Sequence, residues 1–343
     1  MIIVKSPFRI SIVAGNDMPE YYLGRGSAWV SSTINKYLFT VLSERRDDLI
    51  EVISADYQSI KYYDISKIDE YDDIYGFVFR RFKTYLWRRK WSGFNLFTSA
   101  QVPSQTGLGG SSILICSLIQ AILLHFQKNL GIGLFMDKKE VAELAFEIEH
   151  GDMQRAVGKQ DMYATVTGGV TKFSADEHGF VTAKRLIQTP PALESLRRKL
   201  VLYYTCMKHS AEEILVKQRN DIKQLDESAI KNMQDITFHA DGVAEKIMAG
   251  DYDYWGRLMH QLWEMKKART PKASNLEIDR LYSFGRDNGA YGGKLVGSGG
   301  SGFLLFYCQE DKQAQLRKAF ATSGLTEMDF QFETEGICNV GGN

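Results

Sequence analysis

Three glycines and three serines cluster in the segment Pro103-Ser104-Gln105-Thr106-Gly107-Leu108-Gly109-Gly110-Ser111-Ser112. Gly107, Gly109 and Gly110 let a backbone turn sharply and approach a ligand closely. A weakly alternating stretch, 94–102, precedes the segment, and an apolar run, 113–126, follows it. The pattern predicts a strand, a turn and a buried helix. The helix would aim its first N–H groups and a partial positive charge at whatever the turn holds. Phosphate suits such a site. Ser111 and Ser112 add hydroxyls for a phosphate oxygen or a metal ion. A plain tight turn with an N-cap serine accounts for the same residues without chemistry. Two familiar phosphate patterns are absent. The dinucleotide fingerprint needs a glycine where Ser112 stands, and at Gly293-Lys294 the Walker A pattern meets Asn288 and Leu295 instead of glycine and a hydroxyl.

A second glycine-rich stretch lies near the other end of the chain. Residues 292–302 hold six glycines in eleven positions and lead into an apolar run, 303–308, that reads as a buried strand. Other reactive side chains show no such grouping. Cys116, Cys206, Cys308 and Cys338 are widely separated, lack CxxC spacing and read as small buried apolar residues. His125, His150, His178, His239 and His260 have no metal-ligand spacing and read as structural or exposed.

These segments need a scaffold. Residues 2–4 and 10–13 read as short strands flanking Pro7, with 37–42 a further strand. Residues 74–89 carry Ile74, Phe77, Val78, Phe82, Tyr85 and Leu86 at helical spacing. Asp137 with Glu140 forms a capping-box pattern, and Val141, Leu144, Ala145 and Ile148 mark the buried face of the helix after it. Residues 163–173 read as a glycine-punctuated strand region, and Pro190-Pro191 breaks the chain. A strand at 200–205, helices through 210–270 and a helix at 276–287 follow. The expected architecture is α+β in two units, 1–188 with the glycine-rich turn and 189–343, with a cleft between them.

The ordering of motifs resembles the GHMP kinase superfamily. Ser6-Pro7-Phe8-Arg9 resembles its first motif, Pro103 to Ser112 its phosphate loop, and Lys294-Leu295-Val296-Gly297-Ser298-Gly299-Gly300-Ser301-Gly302 its C-terminal glycine loop. Finer details resemble the branch that phosphorylates D-glycero-D-manno-heptose 7-phosphate. They include Pro19-Glu20-Tyr21-Tyr22, Thr33-Ile34-Asn35-Lys36-Tyr37, Gly158-Lys159-Gln160-Asp161-Met162-Tyr163, Leu258-Met259-His260-Gln261-Leu262-Trp263 and Gly289-Ala290-Tyr291-Gly292-Gly293-Lys294. The resemblance implies a two-lobed fold, with a ribosomal protein S5 domain 2-like N-terminal lobe and a ferredoxin-like C-terminal lobe. It implies ATP and Mg²⁺ as cofactors and an anomeric hydroxyl as acceptor. A fucokinase-type enzyme, a kinase for another sugar or small alcohol, and a non-catalytic ligand-sensing member of the fold are the competing readings. The branch's Gly-Gly-Gly-Thr-Asp stretch reads here Ala14-Gly15-Asn16-Asp17, its following Gly-Gly reads Gly26-Ser27 beside Trp29, and its triple serine reads Gly110-Ser111-Ser112.

By the same resemblance, Asp161 is the catalytic aspartate, as a base or an electrostatic group, and Arg9 is its paired cation. Glu149 and Ser111, with Ser112 the alternative, are the magnesium ligands. Pro103, Ser104, Thr106, Gly107, Leu108, Gly109, Gly110, Ser111 and Ser112 form the nucleotide-phosphate loop, closed by Gly297, Gly299 and Gly300. Asp17 is the candidate for sugar hydroxyls, because a carboxylate accepts two hydrogen bonds. Asn35 and Lys36 are expected on the same side. Lys208, His209, Lys266 and Arg269 are candidates for an anionic group of the substrate, although Lys266-Lys267 also reads as a solvated helix face.

Composition sets the outer limits. The 343 residues carry 42 Lys+Arg against 42 Asp+Glu, a formal net charge of zero, and no basic patch interleaved with aromatics. A nucleic-acid partner is not expected. The longest apolar run, 113–124, falls short of the ~20 residues that span a bilayer, so neither is a membrane. No signal-peptide pattern opens the chain, which points to a cytoplasmic enzyme of small sugars or sugar phosphates. Assembly is left open, a homodimer included.

Overall fold

The structure is a computed structural model that describes residues 1–87, 93–207, 211–224 and 226–341. A strand Ser27–Glu44 is the spine of the first lobe. It pairs antiparallel with Ile2–Val13 along one edge and, at successive positions, with Val170–Ala175 and Phe94–Ala100 on the other. Leu49–Ser54 runs parallel to Phe94–Ala100, and Ser59–Asp64 closes that edge. The sequence pattern predicts two short strands around Pro7. They are one strand, because Pro7 lies at a register shift between Pro7 and Phe8, where a missing N–H costs the ladder least.

The apolar run forms helix Gly110–Lys128, almost entirely buried against the first strands of the sheet. The helix reaches further than the apolar run predicts. By length and composition it could cross a bilayer, yet it is the core helix of this lobe, with 72% of its apolar window buried. Lys138–Phe146 starts with the expected capping box: Asp137 Oδ1 accepts from Glu140 N at 2.8 Å and Glu140 Oε2 accepts from Asp137 N at 2.7 Å. It runs directly into a π-helical turn, Glu147–Asp152, which buries both Ile148 and Glu149.

Other expectations need correction. The helix foreseen at 74–89 is two, Ile74–Arg81 and Lys83–Trp87, separated at Phe82. Part of 163–173 is not strand: Gln160–Thr167 is a helix and the strand starts at Val170. Tyr163, Thr165, Val166 and Thr167 favour strands locally. The helix prevails through tertiary contacts, among them a cap from Asp17, whose Oδ2 accepts from Gln160 N at 2.9 Å. Pro190-Pro191 begins a helix, Pro190–Arg197, rather than only breaking the chain, since proline fits the first helical turn.

The second lobe is a four-stranded antiparallel sheet of Leu200–Tyr204, Ala290–Leu295, Phe303–Cys308 and Thr326–Glu327. In spatial order these are the fourth, first, third and second in sequence, the ferredoxin-like arrangement. Helices Leu276–Asp287 and Glu310–Phe320 cover one face through Ile278, Leu281, Leu316 and Phe320. Helix Tyr252–Arg269 also packs on this sheet, and Glu227–Met248 bridges it to the spine strand. The segment 189–343 does not stay in one lobe. Its last strands, Phe332–Glu333 and Cys338–Asn339, pair with Ser27–Glu44 and Ile2–Val13. Phe330 and Ile337 are buried in the larger core. Ile337→Ala should therefore destabilise the first lobe by about 2–4 kcal/mol, read as a lower midpoint in urea unfolding.

Candidate active site

A cavity of about 410 Å³ opens between the lobes. Its floor is the glycine-rich turn. Gly109, at φ 88°, is the N-cap of helix Gly110–Lys128, so the first N–H groups of that helix open toward the cavity beside Gly110, Ser111 and Ser112. Pro103, Ser104, Thr106 and Gly107 also line it. Leu108 does not: its side chain is in the core and its carbonyl accepts from Arg9 N. The C-terminal glycine loop packs directly on the turn. Gly297 stands at φ 80°, and a Cβ there would overlap the carbonyl of Gly107. Gly299 and Gly300 turn the other way and pack on Ala273, outside the cavity lining.

Arg9 and Asp161 form a two-point ion pair. Arg9 Nε reaches Asp161 Oδ1 at 2.7 Å and Nη2 reaches Oδ2 at 3.0 Å, while Nη1 donates to the carbonyl of Gly107. Arg9 is buried, whereas the Asp161 side chain remains 24% exposed and faces the cavity. Only glycine fits at Gly109, where a Cβ would press on the Asp161 carboxylate.

Glu149 is 1% exposed and accepts from Ser112 Oγ at 2.6 Å; Arg155 Nη1 contacts Ser111 Oγ at 2.7 Å and Glu149 Oε1 at 3.5 Å. Burial pushes the Glu149 carboxyl up, against the hydrogen bonds from the serines and the charge of Arg155. Among the described residues Arg155 is the one cation near this carboxylate, and it stands at the long end of an ion pair. With two serine hydroxyls the carboxylate offers hard oxygen donors, which fit Mg²⁺ and its preference for few protein ligands. No group of three or more His, Cys, Asp or Glu exists among the described residues, so a cation here would draw its remaining donors from water and phosphate.

Asp17 lines the opposite wall, its pKa raised chiefly by burial. Lys266 and Arg269, on the last turn of helix Tyr252–Arg269, line it too, so Lys266 is not on a solvated face. Asn35 and Lys36 are not brought to the cavity: Asn35 N donates to Gln331 O and its Oδ1 accepts from Gln331 N, which ties this part of the spine to the C-terminal strands. Lys208 and His209 lie outside the described residues.

Gln160, Lys294 and Arg155 are among the lining residues that escaped the sequence reading. Gln160 is 6% exposed, donates to Asp161 Oδ1 at 3.3 Å and leaves its Oε1 without a partner. Lys294 projects from strand Ala290–Leu295. Both sit inside motifs already noted, so position was the available signal. Arg155 had none.

Two family models match the chain: GHMP kinases N terminal domain at residues 73–169 and GHMP kinases C terminal at 243–323. It is 31% identical to the D-glycero-alpha-D-manno-heptose 7-phosphate kinase of Campylobacter jejuni over 97% of both chains. The chain belongs to the GHMP kinase family. It is an ATP-dependent phosphotransferase that acts on an alcohol group, a sugar kinase. The L-fucokinase/L-fucose-1-P guanylyltransferase of Bacteroides fragilis is 28% identical over 66% of this kinase and 23% of its own length. A crystal structure of a D-glycero-D-manno-heptose 1-phosphate kinase from Bacteroides thetaiotaomicron superposes with a TM-score of 0.76 over the whole of both chains at 24% identity, a likeness of fold.

The buried Glu149 of this kinase yields a test with a definite sign. An acid whose folded pKa is raised stabilises the fold below its unfolded pKa and loses that contribution as pH rises through the folded value. Glu149→Gln cannot ionise. The ligand-free variant should be more stable than the parent at pH 8, by about 0.5–2 kcal/mol, with the gap closing below pH 4. Melting curves across pH check this, and kinase activity should fall in the same variant.

Proposed function

We propose that this kinase transfers the γ-phosphate of ATP to the anomeric hydroxyl of D-glycero-D-manno-heptose 7-phosphate, giving the 1,7-bisphosphate. The observation that carries the reading is the Arg9–Asp161 pair, set between the helix N-terminus and the Asp17 wall. The name of the 31% identical relative and the cations lining the cavity support a phosphorylated acceptor.

In this reading each residue has a role. Ile74, Ala100 and Val102 with Tyr57 make an apolar end suited to the adenine base. The triphosphate lies along Gly107 to Ser112, held by backbone N–H groups, as phosphates are at helix N-termini. Glu149 with Ser111 or Ser112 would hold Mg²⁺, which would supply positive charge to the phosphate oxygens. Asp17 and the unpaired Oε1 of Gln160 accept hydrogen bonds from sugar hydroxyls. Asp161 accepts the proton of the attacking hydroxyl as its oxygen bonds to the γ-phosphorus and the bond to the β,γ-bridging oxygen breaks, releasing ADP. Arg9 fixes the orientation of the Asp161 carboxylate through two hydrogen bonds. The chemistry is mostly positioning and charge, as phosphoryl transfer requires.

The departure at Ala14-Gly15-Asn16-Asp17 is compatible with a sugar site. Asn16 is fully buried and donates to Ala28 O at 2.7 Å and Thr237 Oγ1 at 2.8 Å, so it shapes the wall from behind. The test is a panel of heptoses, heptose phosphates and other aldoses with Mg-ATP, scored by ADP release and product mass. A bisphosphate should appear with the heptose 7-phosphate. Asp161→Asn should lower kcat by roughly 10²–10⁴-fold with a smaller change in KM, measured on the same substrate.

A further inference from the structure

Lys266, Arg269 and Lys294 are 9%, 9% and 8% exposed and line one wall of the cavity. Their hydrogen-bond acceptors are nearly all backbone carbonyls. Lys266 Nζ donates to Leu295 O and Gly297 O, Lys294 Nζ to Ile12 O at 3.4 Å, and Arg269 Nη1 to Gly15 O at 3.0 Å and more distantly to Asn232 Oδ1. Among the described residues no carboxylate stands within 4.0 Å of any of the three. Elsewhere the chain treats buried cations differently. Lys159, equally buried, meets both oxygens of Glu143 at 2.8 Å, and Arg9 is paired with Asp161. Buried charge without a close counter-charge is expensive, and a fold that gives Lys159 and Arg9 a carboxylate at hydrogen-bond distance but leaves Lys266, Arg269 and Lys294 without one has left this cluster for an anion.

We propose that Lys294, Lys266 and Arg269 together bind the phosphate that the acceptor sugar already carries, and that Lys294, absent from the sequence-based expectation, governs the preference for phosphorylated over unphosphorylated sugar. This rests on the reading of the acceptor as a sugar phosphate. The three groups come from both sides of the second lobe's contact with the cavity, the end of helix Tyr252–Arg269 and strand Ala290–Leu295. Asp17 is the acid whose charge reaches Arg269. The nucleotide has its own donors in the glycine-rich turn, so the acceptor's phosphate is the anion left to match them.

Binding would then move a proton. Burial and the charge of Arg9 hold the Lys294 ammonium down to about 7. The charged groups around it are Arg9 from the first strand and Lys266 and Arg269 from the helix, and the acids that line the cavity are Asp17, Asp56, Glu149 and Asp161. A phosphate dianion beside Lys294 favours its charged form. At pH 8 the ligand-free lysine is largely neutral and gains a proton as the sugar phosphate binds.

The experiment is calorimetric titration of the whole protein at pH 8 in two buffers of different ionisation enthalpy, with heptose 7-phosphate, other sugar phosphates, the parent sugars and a non-hydrolysable ATP analogue. Proton uptake is expected with sugar phosphates and not with parent sugars or the nucleotide. Lys294→Arg should bind sugar phosphate with less proton uptake than the parent, the remainder falling to Lys266, whose ammonium burial also disfavours. In Lys294→Met, the ratio of kcat/KM for heptose 7-phosphate to that for unphosphorylated heptose should fall on the order of tenfold or more, the loss expected for a charged hydrogen bond. Uptake on binding the nucleotide instead, no uptake with any sugar phosphate, or an unchanged ratio overturns the assignment. If the parent protein turns over no heptose phosphate, the functional proposal fails by itself. The titrations with other sugar phosphates still decide the anion site, and they need no variant to fold.

Discussion

The guanidinium of Arg9 is the constraint on which the site depends. It is buried at the base of the cavity, carried by a strand of the first sheet, and it holds two other parts of the chain. One fork binds the Asp161 carboxylate and the remaining nitrogen holds the Gly107 carbonyl. The planar fork makes this possible, since a lysine has no fixed geometry to match a carboxylate and a carbonyl at once. The acidic group and the phosphate loop thus have a set separation before any ligand arrives. Preorganisation of this kind spares the reaction the reorganisation that water would need.

The second lobe contributes by closing on the same loop. Gly297 meets Gly107 backbone to backbone, and Lys266 holds the carbonyls on the far side of that contact. The chain then returns through Phe332–Glu333 and Cys338–Asn339 to the first sheet, so the lobes share a core as well as a cavity. A hinge made only of a linker would let the loop and its cover drift. Here their relative position is fixed by packed strands.

Electrostatics inside the cavity run against the whole-chain balance. The total charge is zero, yet one wall gathers Lys266, Arg269 and Lys294, and the other holds a buried Glu149 raised in pKa. Each of these groups is costly in the empty protein. Stability is given up along this cavity, and perturbed groups of this kind cluster at functional sites.

Local patterns in the sequence were sufficient for much of this. The glycine-rich turn, the buried helix after it, the capping box at Asp137 and the strand Phe303–Cys308 are legible because each depends on neighbours a few residues away. The pairing of Arg9 with Asp161 and the place of Glu149 came from ordered motifs, not from spacing. What tertiary structure alone decided is of another kind. Gln160–Thr167 is a helix where composition favours a strand, with Asp17 capping it from far away in sequence. Asn35 is drawn to the C-terminal strands and away from the cavity, because the spine strand is long enough to pair with several partners along its length. Lys266 reads in the sequence either as an anion ligand or as part of a solvated helix face, and the fold buries it, with Lys294 buried beside the same cavity. Charge is written in the sequence residue by residue. Whether it is solvated, paired or left waiting for an anion depends on which distant segments fold around it.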